Sequence, residues 1–241
     1  MKGGRIHMKP YQALLALMGY YLLQIYVASS ISLDYYMVIS LPIALIAFGW
    51  LLHKKQMLHM SSRDLKGSQL FFCLGIGLGL ALFSKISVVL GVLSGAPVLE
   101  MLLPDGFLWI PTVVVLGPVV EELLYRGILF GSFSRSFSYK IAIVLSTVLF
   151  LPGHNLISGL SVFVVGVLLA WLYWRTDNLA VTMVIHGTIN LGTFLSMPIL
   201  ALLAVNRTLG IMAGLLMVLL GIGITCLSTK MFLQKHDALP A

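Results

Sequence analysis

Long apolar stretches recur along the whole chain, and they limit the folds open to it more than any other feature. Each is close to the roughly 20 residues that a helix needs to cross a bilayer. In lipid every backbone polar group needs an internal partner, so stretches of this kind form helices. We identify eight such segments: Tyr11–Leu33, Tyr35–Leu52, Ser68–Leu93, Phe107–Phe130, Tyr139–Leu156, Gly159–Trp174, Asn178–Met197 and Leu209–Thr229.

The composition excludes a large soluble domain. Hydrophobic residues make up 59% of the chain, charged residues only 10%, and the mean hydropathy is +1.03. An ordinary soluble domain carries roughly a quarter charged residues. The net charge of +7 comes from residues spread over short loops, so it does not indicate a nucleic-acid partner. We therefore predict an all-α, polytopic helix bundle in the lipid bilayer, with one transmembrane domain over residues 1–241.

The distribution of basic residues predicts the orientation. Lysine and arginine accumulate in cytoplasmic loops of membrane proteins. Twelve of the fifteen lie in the two tails and in alternate loops: Lys2, Arg5, Lys9, Lys54, Lys55, Arg63, Lys66, Arg135, Lys140, Arg175, Lys230 and Lys235. The opposite loops hold Asp34, Glu100 and Asp105, with Arg207 as a basic exception. Both termini are thus predicted to be cytoplasmic, which requires an even number of spans.

Polar side chains inside the predicted helices point to function. An ionisable group at the centre of a spanning helix costs roughly 2.5–3.5 kcal/mol on insertion scales, so such groups usually face the bundle interior and serve a purpose. Those found here are Lys85, Glu121, Glu122, Arg126, His154, His186 and Asn190. Lys85 belongs to no motif that we recognise, and its role stays open.

The spacing of these residues separates their roles. Glu122 and Arg126 are four apart, share one helix face and are predicted to form an ion pair. Glu121 is rotated roughly 100° from Glu122 and needs another partner. Beside a histidine from a neighbouring helix, its carboxylate would suit a general base. His186 and Asn190 also share a face, where they could stabilise an oxyanion or complete a metal site.

Two prolines lie just before candidate residues. Pro118 precedes Glu121, and Pro152 precedes His154. Proline removes a backbone donor and kinks a helix, and irregular backbone is tolerated in a membrane only where protein or water satisfies it. Both prolines therefore favour a wet pocket beside these residues, although kinks that only serve packing are an equal alternative.

Three short motifs occur in order on successive predicted helices. They are Glu-Glu-x-x-x-Arg at Glu121, Glu122 and Arg126, Phe-x-x-x-His at Phe150 and His154, and His-x-x-x-Asn at His186 and Asn190. In this order they resemble the CAAX prenyl protease and bacteriocin-processing family of intramembrane proteases. The resemblance covers Pro118 to Asn190, roughly a third of the chain, and the motif-bearing core is expected at about 107–197.

The resemblance implies an eight-helix endopeptidase. Glu121 and His154 would activate a water molecule, and His186 and Asn190 would stabilise the oxyanion. Glu121 would later protonate the leaving amine.

The same resemblance gives the other motif residues supporting roles. Glu122, Arg126 and Phe150 would hold the catalytic groups in place. The implied substrate is a hydrophobic or membrane-anchored peptide or protein, cut near its C-terminus. The short loops and compact chain favour a bacterial cell membrane, where a prenylated target is not expected.

The sequence leaves the metal and the function class open. No His-Glu-x-x-His element is present. Glu121, His154 and His186 could form a three-ligand zinc site with one open position, or hold a water molecule without an obligatory metal. An ion- or proton-coupled transporter also carries intramembrane charges, but it should show an internal repeat, and none is visible. A non-catalytic membrane protein of the bacteriocin-immunity type is the third reading.

Overall fold

Helices form the regular structure of the chain in a computed structural model, which describes residues 8–31, 36–95, 109–192, 202–203 and 205–238. No strand occurs within these ranges, so the all-α prediction is confirmed. The helices are α1 Pro10–Ser30, α2 Tyr36–Lys54, α3 Ser68–Phe83, α4 Ile86–Ser94, α5 109–136, α6 Tyr139–Phe150, α7 Gly159–Thr176, α8 Leu179–Leu191 and α9 Arg207–Asp237.

Several helices have the length and apolarity of membrane spans. Five qualify among the described residues: Pro10–Ser30, Tyr36–Lys54, Ser68–Ser94, Leu156–Thr176 and Arg207–Asp237. Two shorter apolar helices occupy Tyr139–Gly153 and Leu179–Leu191. Large apolar side chains such as Tyr26 and Ile46 are 70% and 73% exposed, as expected for surfaces that face lipid. The polytopic bundle is therefore confirmed, while the cytoplasmic position of both termini stays a prediction.

Two predicted helices have different limits in the structure. The helix expected over Tyr139–Leu156 ends at Phe150, and a 3-10 turn at Leu151–Gly153 follows it. The reason is that Pro152 has no N–H to continue the helix. The helix expected over Ser68–Leu93 is interrupted between α3 and α4 by a turn at Ser84 and Lys85.

Four predicted helices extend beyond the described residues. Outside those ranges lie residues 32–33 of the first, residue 35 of the second, residues 107–108 of the fourth and residues 193–197 of the seventh.

Helix α5 alternates between two helical geometries. Its pieces are Trp109–Pro111 (α), Thr112–Leu116 (π), Gly117–Glu122 (α), Leu123–Phe130 (π) and Gly131–Ser136 (α). The Gly117 N–H donates to the Thr112 carbonyl, and the Gly131 N–H donates to the Arg126 carbonyl. In a π segment each N–H bonds to the carbonyl five residues earlier, which widens the helix. Pro118 favours the π segment Thr112–Leu116 because it has no N–H to donate. Glu121 and Glu122 thus end a short α-helical piece between two π segments.

The chain divides into two compact units. The first consists of Met1–Ser61, Asp105–Phe150 and Gly166–Met183, and the second of Ser62–Pro104, Leu151–Val165 and Val184–Ala241. In the first unit, α1, α2 and α6 pack around the π segment Leu123–Phe130, all of whose residues are buried. That segment is therefore the core of the first unit. The single transmembrane domain expected from the sequence stays a prediction.

Close helix packing characterises the second unit. Helix α3 packs along α9, with Gly79 facing Gly221. A Cβ atom on Gly79 would lie 2.7 Å from the backbone nitrogen of Thr225 and 2.9 Å from the carbonyl oxygen of Gly221. Small residues permit such an approach between helices in lipid. The two backbones can therefore meet only because no side chain separates them.

Candidate functional site

The ion pair predicted from the first motif is present in the first unit. Arg126 Nη1 donates to Glu122 Oε1 at 2.8 Å. Glu122 is 0% exposed and Arg126 is 1% exposed. Two charges removed from solvent in this way are tolerated because each compensates the other. The pairing of Glu122 with Arg126 is therefore confirmed.

Arg126 also joins three separate stretches of the first unit. Its Nη2 atom donates to the carbonyl oxygen of Gly166 at 3.3 Å. Its guanidinium carbon lies 5.0 Å from the centre of the Phe150 ring, a cation–π distance. That ring also meets the Tyr125 ring edge to face, with centres 4.8 Å apart. Phe150 of the second motif thus packs against the arginine of the first.

Glu121 has different neighbours from Glu122. Its side chain is only partly buried, whereas Glu122 is enclosed. It lies within electrostatic range of the phenol groups of Tyr20 and Tyr125. The two adjacent glutamates therefore occupy distinct environments, as their rotation around the helix predicted.

A polar network of tyrosines near Glu121 was missed at the sequence level. The hydroxyl groups of Tyr21 and Tyr125 are 3.1 Å apart and form a hydrogen bond. Tyr20 is hydrogen-bonded to Gln24, whose Oε1 accepts a hydrogen bond from Ser40 at 2.9 Å. The four-residue spacing of Tyr20 and Gln24 on an apolar helix was the available signal.

His154 lies in an irregular connection rather than in a helix. It follows the 3-10 turn Leu151–Gly153, is half-buried, and donates its backbone N–H to the Leu151 carbonyl at 2.9 Å. The expectation that His154 belongs to a continuous fifth helix was wrong. Its position after a proline and a glycine gives its backbone an irregular path, as the Pro152 signal indicated.

The third motif lies on the part of α8 that belongs to the second unit. His186 and Asn190 are one helical turn apart, and both belong to the same element, Leu179–Leu191. His186 is 4% exposed and Asn190 is half-buried. A buried imidazole and a nearby amide on one face can present two hydrogen-bond donors to a common point.

The candidate residues are distributed over both units. Glu121, Glu122, Arg126 and Phe150 belong to the first, and the remaining three, His154, His186 and Asn190, belong to the second. Within the first unit the two motifs are joined through Arg126. The meeting of Glu121 with the three residues of the second unit stays a prediction.

A metal site was left open by the sequence. Within the described ranges, no three His, Cys, Asp or Glu side chains are grouped so that they could hold a metal ion. The two alternatives from the sequence, a zinc site at Glu121, His154 and His186 or a water molecule held without a metal, both stay predictions.

One protein family matches the segment that contains all three motifs. The family described as type II CAAX prenyl endopeptidase Rce1-like matches residues 103–192. This segment of the chain is similar to the Rce1-like family. This confirms the resemblance to the CAAX prenyl protease and bacteriocin-processing family. No curated protein and no solved structure is significantly similar to the chain.

The matched segment and the apolar helices together indicate a general class. The matching family is described as a prenyl endopeptidase family, and five helices among the described residues are apolar and long enough to span a membrane. These findings support an integral membrane protein in which residues 103–192 are similar to a protease family. The match covers less than half of the 241 residues, and α1–α4 and α9 lie outside it.

Proposed function

We propose that the protein is an intramembrane endopeptidase that hydrolyses a peptide bond near the C-terminus of a hydrophobic or membrane-associated substrate. The observation that carries the proposal is the buried Glu122–Arg126 ion pair within the matched domain. A pair of charges this deep is costly unless something requires it. Through the bond of Arg126 to the Gly166 carbonyl and its contact with the Phe150 ring, the pair ties the helix that presents Glu121 to its neighbours.

Glu121 is the proposed general base. Its partner in the motif, Glu122, is committed to Arg126, so the two carboxylates have separate tasks. Glu121 is partly buried and adjoins the Tyr20 and Tyr125 phenols, an environment in which a carboxylate can hold a water molecule. His154 is the proposed second contact for that water.

The proposed reaction conserves its protons. Glu121 takes a proton from water while the oxygen attacks the peptide carbonyl carbon, and a tetrahedral oxyanion forms. His186 and Asn190 donate hydrogen bonds to that oxyanion. The C–N bond then breaks, and Glu121 returns its proton to the leaving amine. The products are a carboxylic acid and an amine.

The proposed substrate is a hydrophobic or membrane-anchored peptide, and the proposed location is a bacterial cell membrane. Several described helices are apolar and long enough to span a bilayer, which favours a substrate held in the same bilayer. Lipid-facing apolar side chains on several helices are consistent with such a substrate.

Cleavage of quenched fluorescent hydrophobic peptides in liposomes tests the proposal. Glu121→Gln keeps the shape of the side chain and removes the base, so we expect kcat to fall by roughly 10²–10⁴-fold. Asn190→Ala removes one oxyanion donor and should cost roughly 10²–10³-fold. Asp237→Asn is the matched control, because it makes a carboxylate-to-amide change at the exposed end of α9.

The pattern of activities separates the function classes. Wild-type cleavage that survives in the Asp237→Asn control and is lost in Glu121→Gln supports the protease. Equal cleavage by wild type and Glu121→Gln would refute the proposed base. A Glu121-dependent flux of ions or protons without proteolysis would instead support a transporter, and folded protein with neither activity would support an immunity-type role.

A further inference from the structure

A cavity of about 380 Å³ lies in the first unit, apart from every motif residue. It is lined by the segment after α2, the last turns of α5 and the end of α7, including Met57, Ser134 and Tyr173. Its volume falls within the range of small-molecule sites, roughly 300–1,000 Å³. It is therefore large enough to hold a ligand.

Polar groups are concentrated in the lining of this cavity. Arg135 and Ser134 from α5 supply a guanidinium and a hydroxyl group. His59 and Asp177 line it as well, and His59 Nδ1 lies 2.7 Å from Asp177 Oδ1. The sequence predicts a solvated surface histidine at position 59, whereas the structure holds its ring against this carboxylate. The imidazole therefore occupies one oxygen of the Asp177 carboxylate at the cavity.

The charged groups of the lining oppose one another. Arg135 and Asp177 both line the cavity and carry opposite formal charges. The C-terminal ends of α5 and α7, next to these residues, each add a partial negative charge of roughly −0.5. Anion binding in this cavity therefore depends on the Arg135 guanidinium.

Aromatic rings give the cavity a firm wall. The Trp174 ring stacks on Tyr139 with centres 4.1 Å apart and planes within 6°. Tyr173 meets Phe130 edge to face at 5.7 Å. Tryptophan and tyrosine concentrate at the level of lipid headgroups in membrane proteins. The basic loops here are also those predicted to face the cytoplasm, where anionic lipids attract lysine and arginine.

We propose that this cavity binds a phosphate group, with Arg135 as its main ligand, and that an anionic phospholipid headgroup supplies it. Arginine matches the geometry of phosphate oxygens with two parallel donors. The Ser134 hydroxyl, which donates to the Gly131 carbonyl at a long 3.4 Å, would turn to donate to the phosphate, and the His59–Asp177 pair also lines the cavity. A soluble phosphate ester has the same chemistry and is the alternative source. The site is independent of the proposed peptidase chemistry.

Native mass spectrometry of the delipidated full-length protein tests the site. Phosphatidylglycerol, phosphatidylcholine and soluble glycerol phosphate are titrated in parallel. Arg135→Gln should weaken phosphatidylglycerol binding by roughly tenfold or more, the loss expected for a charge-assisted hydrogen bond. Lys54→Gln is the matched control, since Lys54 lies over the Trp50 ring at the same end of the unit. It should change binding less than threefold by our estimate, roughly the effect of one surface charge.

Asp177→Asn is expected to strengthen lipid binding, a result that a misfolded variant would not produce. It removes the acidic group from the lining, so binding should become several-fold tighter. Asparagine also tolerates the left-handed backbone of this position, where φ is 48°. Circular dichroism would verify that all three variants keep their helix content.

Each result has a distinct meaning. Phosphatidylglycerol binding that depends on Arg135 and exceeds phosphatidylcholine binding establishes the lipid site. Equal losses in Arg135→Gln and Lys54→Gln, or no preference for the anionic lipid, would overturn it in favour of diffuse surface attraction. Arg135-dependent binding of glycerol phosphate without lipid binding would uphold the phosphate site and overturn the lipid source.

Discussion

The buried ion pair of the first motif allows a sharp stability prediction. Glu122→Gln would leave the Arg126 guanidinium charged in a place where it is 1% exposed. Removing one partner of a buried pair typically costs roughly 3–5 kcal/mol, because the remaining charge stays uncompensated. Arg126 would keep its bond to Gly166 and its contact with the Phe150 ring, so we expect the lower end of that range.

The magnitude can be measured by steric trapping or by denaturant titration in mixed micelles. A loss of roughly 3 kcal/mol increases the unfolding constant by more than a hundredfold. The double variant Glu122→Gln/Arg126→Met removes the uncompensated charge as well and should be more stable than Glu122→Gln alone. The coupling energy of the pair should exceed roughly 1 kcal/mol.

The control and the refuting result are both clear. Asp237→Asn makes the same chemical change at an exposed position and should stay within roughly 0.5 kcal/mol of wild type. A cost of less than roughly 1 kcal/mol for Glu122→Gln would show that the pair does not hold this unit together. The same conclusion would follow if the losses of stability in Glu122→Gln and in Arg126→Met add up to the loss in the double variant.

Two further predictions concern packing and the tyrosine network. Gly79→Ala should cost roughly 1–3 kcal/mol, because the added Cβ would lie 2.7 Å from Thr225 N, whereas Gly223→Ala meets nothing within 4 Å and should be neutral or slightly stabilising. Thermal unfolding of both variants in one detergent checks the difference, and equal losses would contradict it. Tyr125→Phe breaks the 3.1 Å bond to Tyr21 and should cost roughly 0.5–1.5 kcal/mol by the same measurement. An unchanged stability would mean that water replaces this bond.

The sequence was sufficient to find the helices because lipid leaves few alternatives. Each of the eight predicted segments contains a helix in its described part, although the third is interrupted at Ser84 and Lys85 and the fifth ends at Phe150. Because backbone groups in lipid need hydrogen-bond partners within the segment, an apolar stretch of sufficient length predicts a helix. The spacing of Glu122 and Arg126 was equally informative, since residues four apart share a face and two buried charges need each other.

The sequence could not predict the interruptions of helices. It placed His154 within a helix, although Pro152 stood two residues earlier, because apolar length outweighed the local signal. It also gave no indication of the π segments at Thr112–Leu116 and Leu123–Phe130. These depend on how α5 fits among α1, α2 and α6, which are distant in the chain.

The sequence by itself determined the class of fold, the polar residues that lipid does not tolerate without a purpose, and their resemblance to a protease family. Tertiary structure alone decided which distant groups surround them, including Gly166 and Phe150 at Arg126 and the tyrosines near Glu121. The cavity at Arg135 likewise exists only because three helix ends converge. The physical reason is that hydropathy and helical spacing are local properties of the chain, whereas burial and contact are set by helices that meet across long sequence separations.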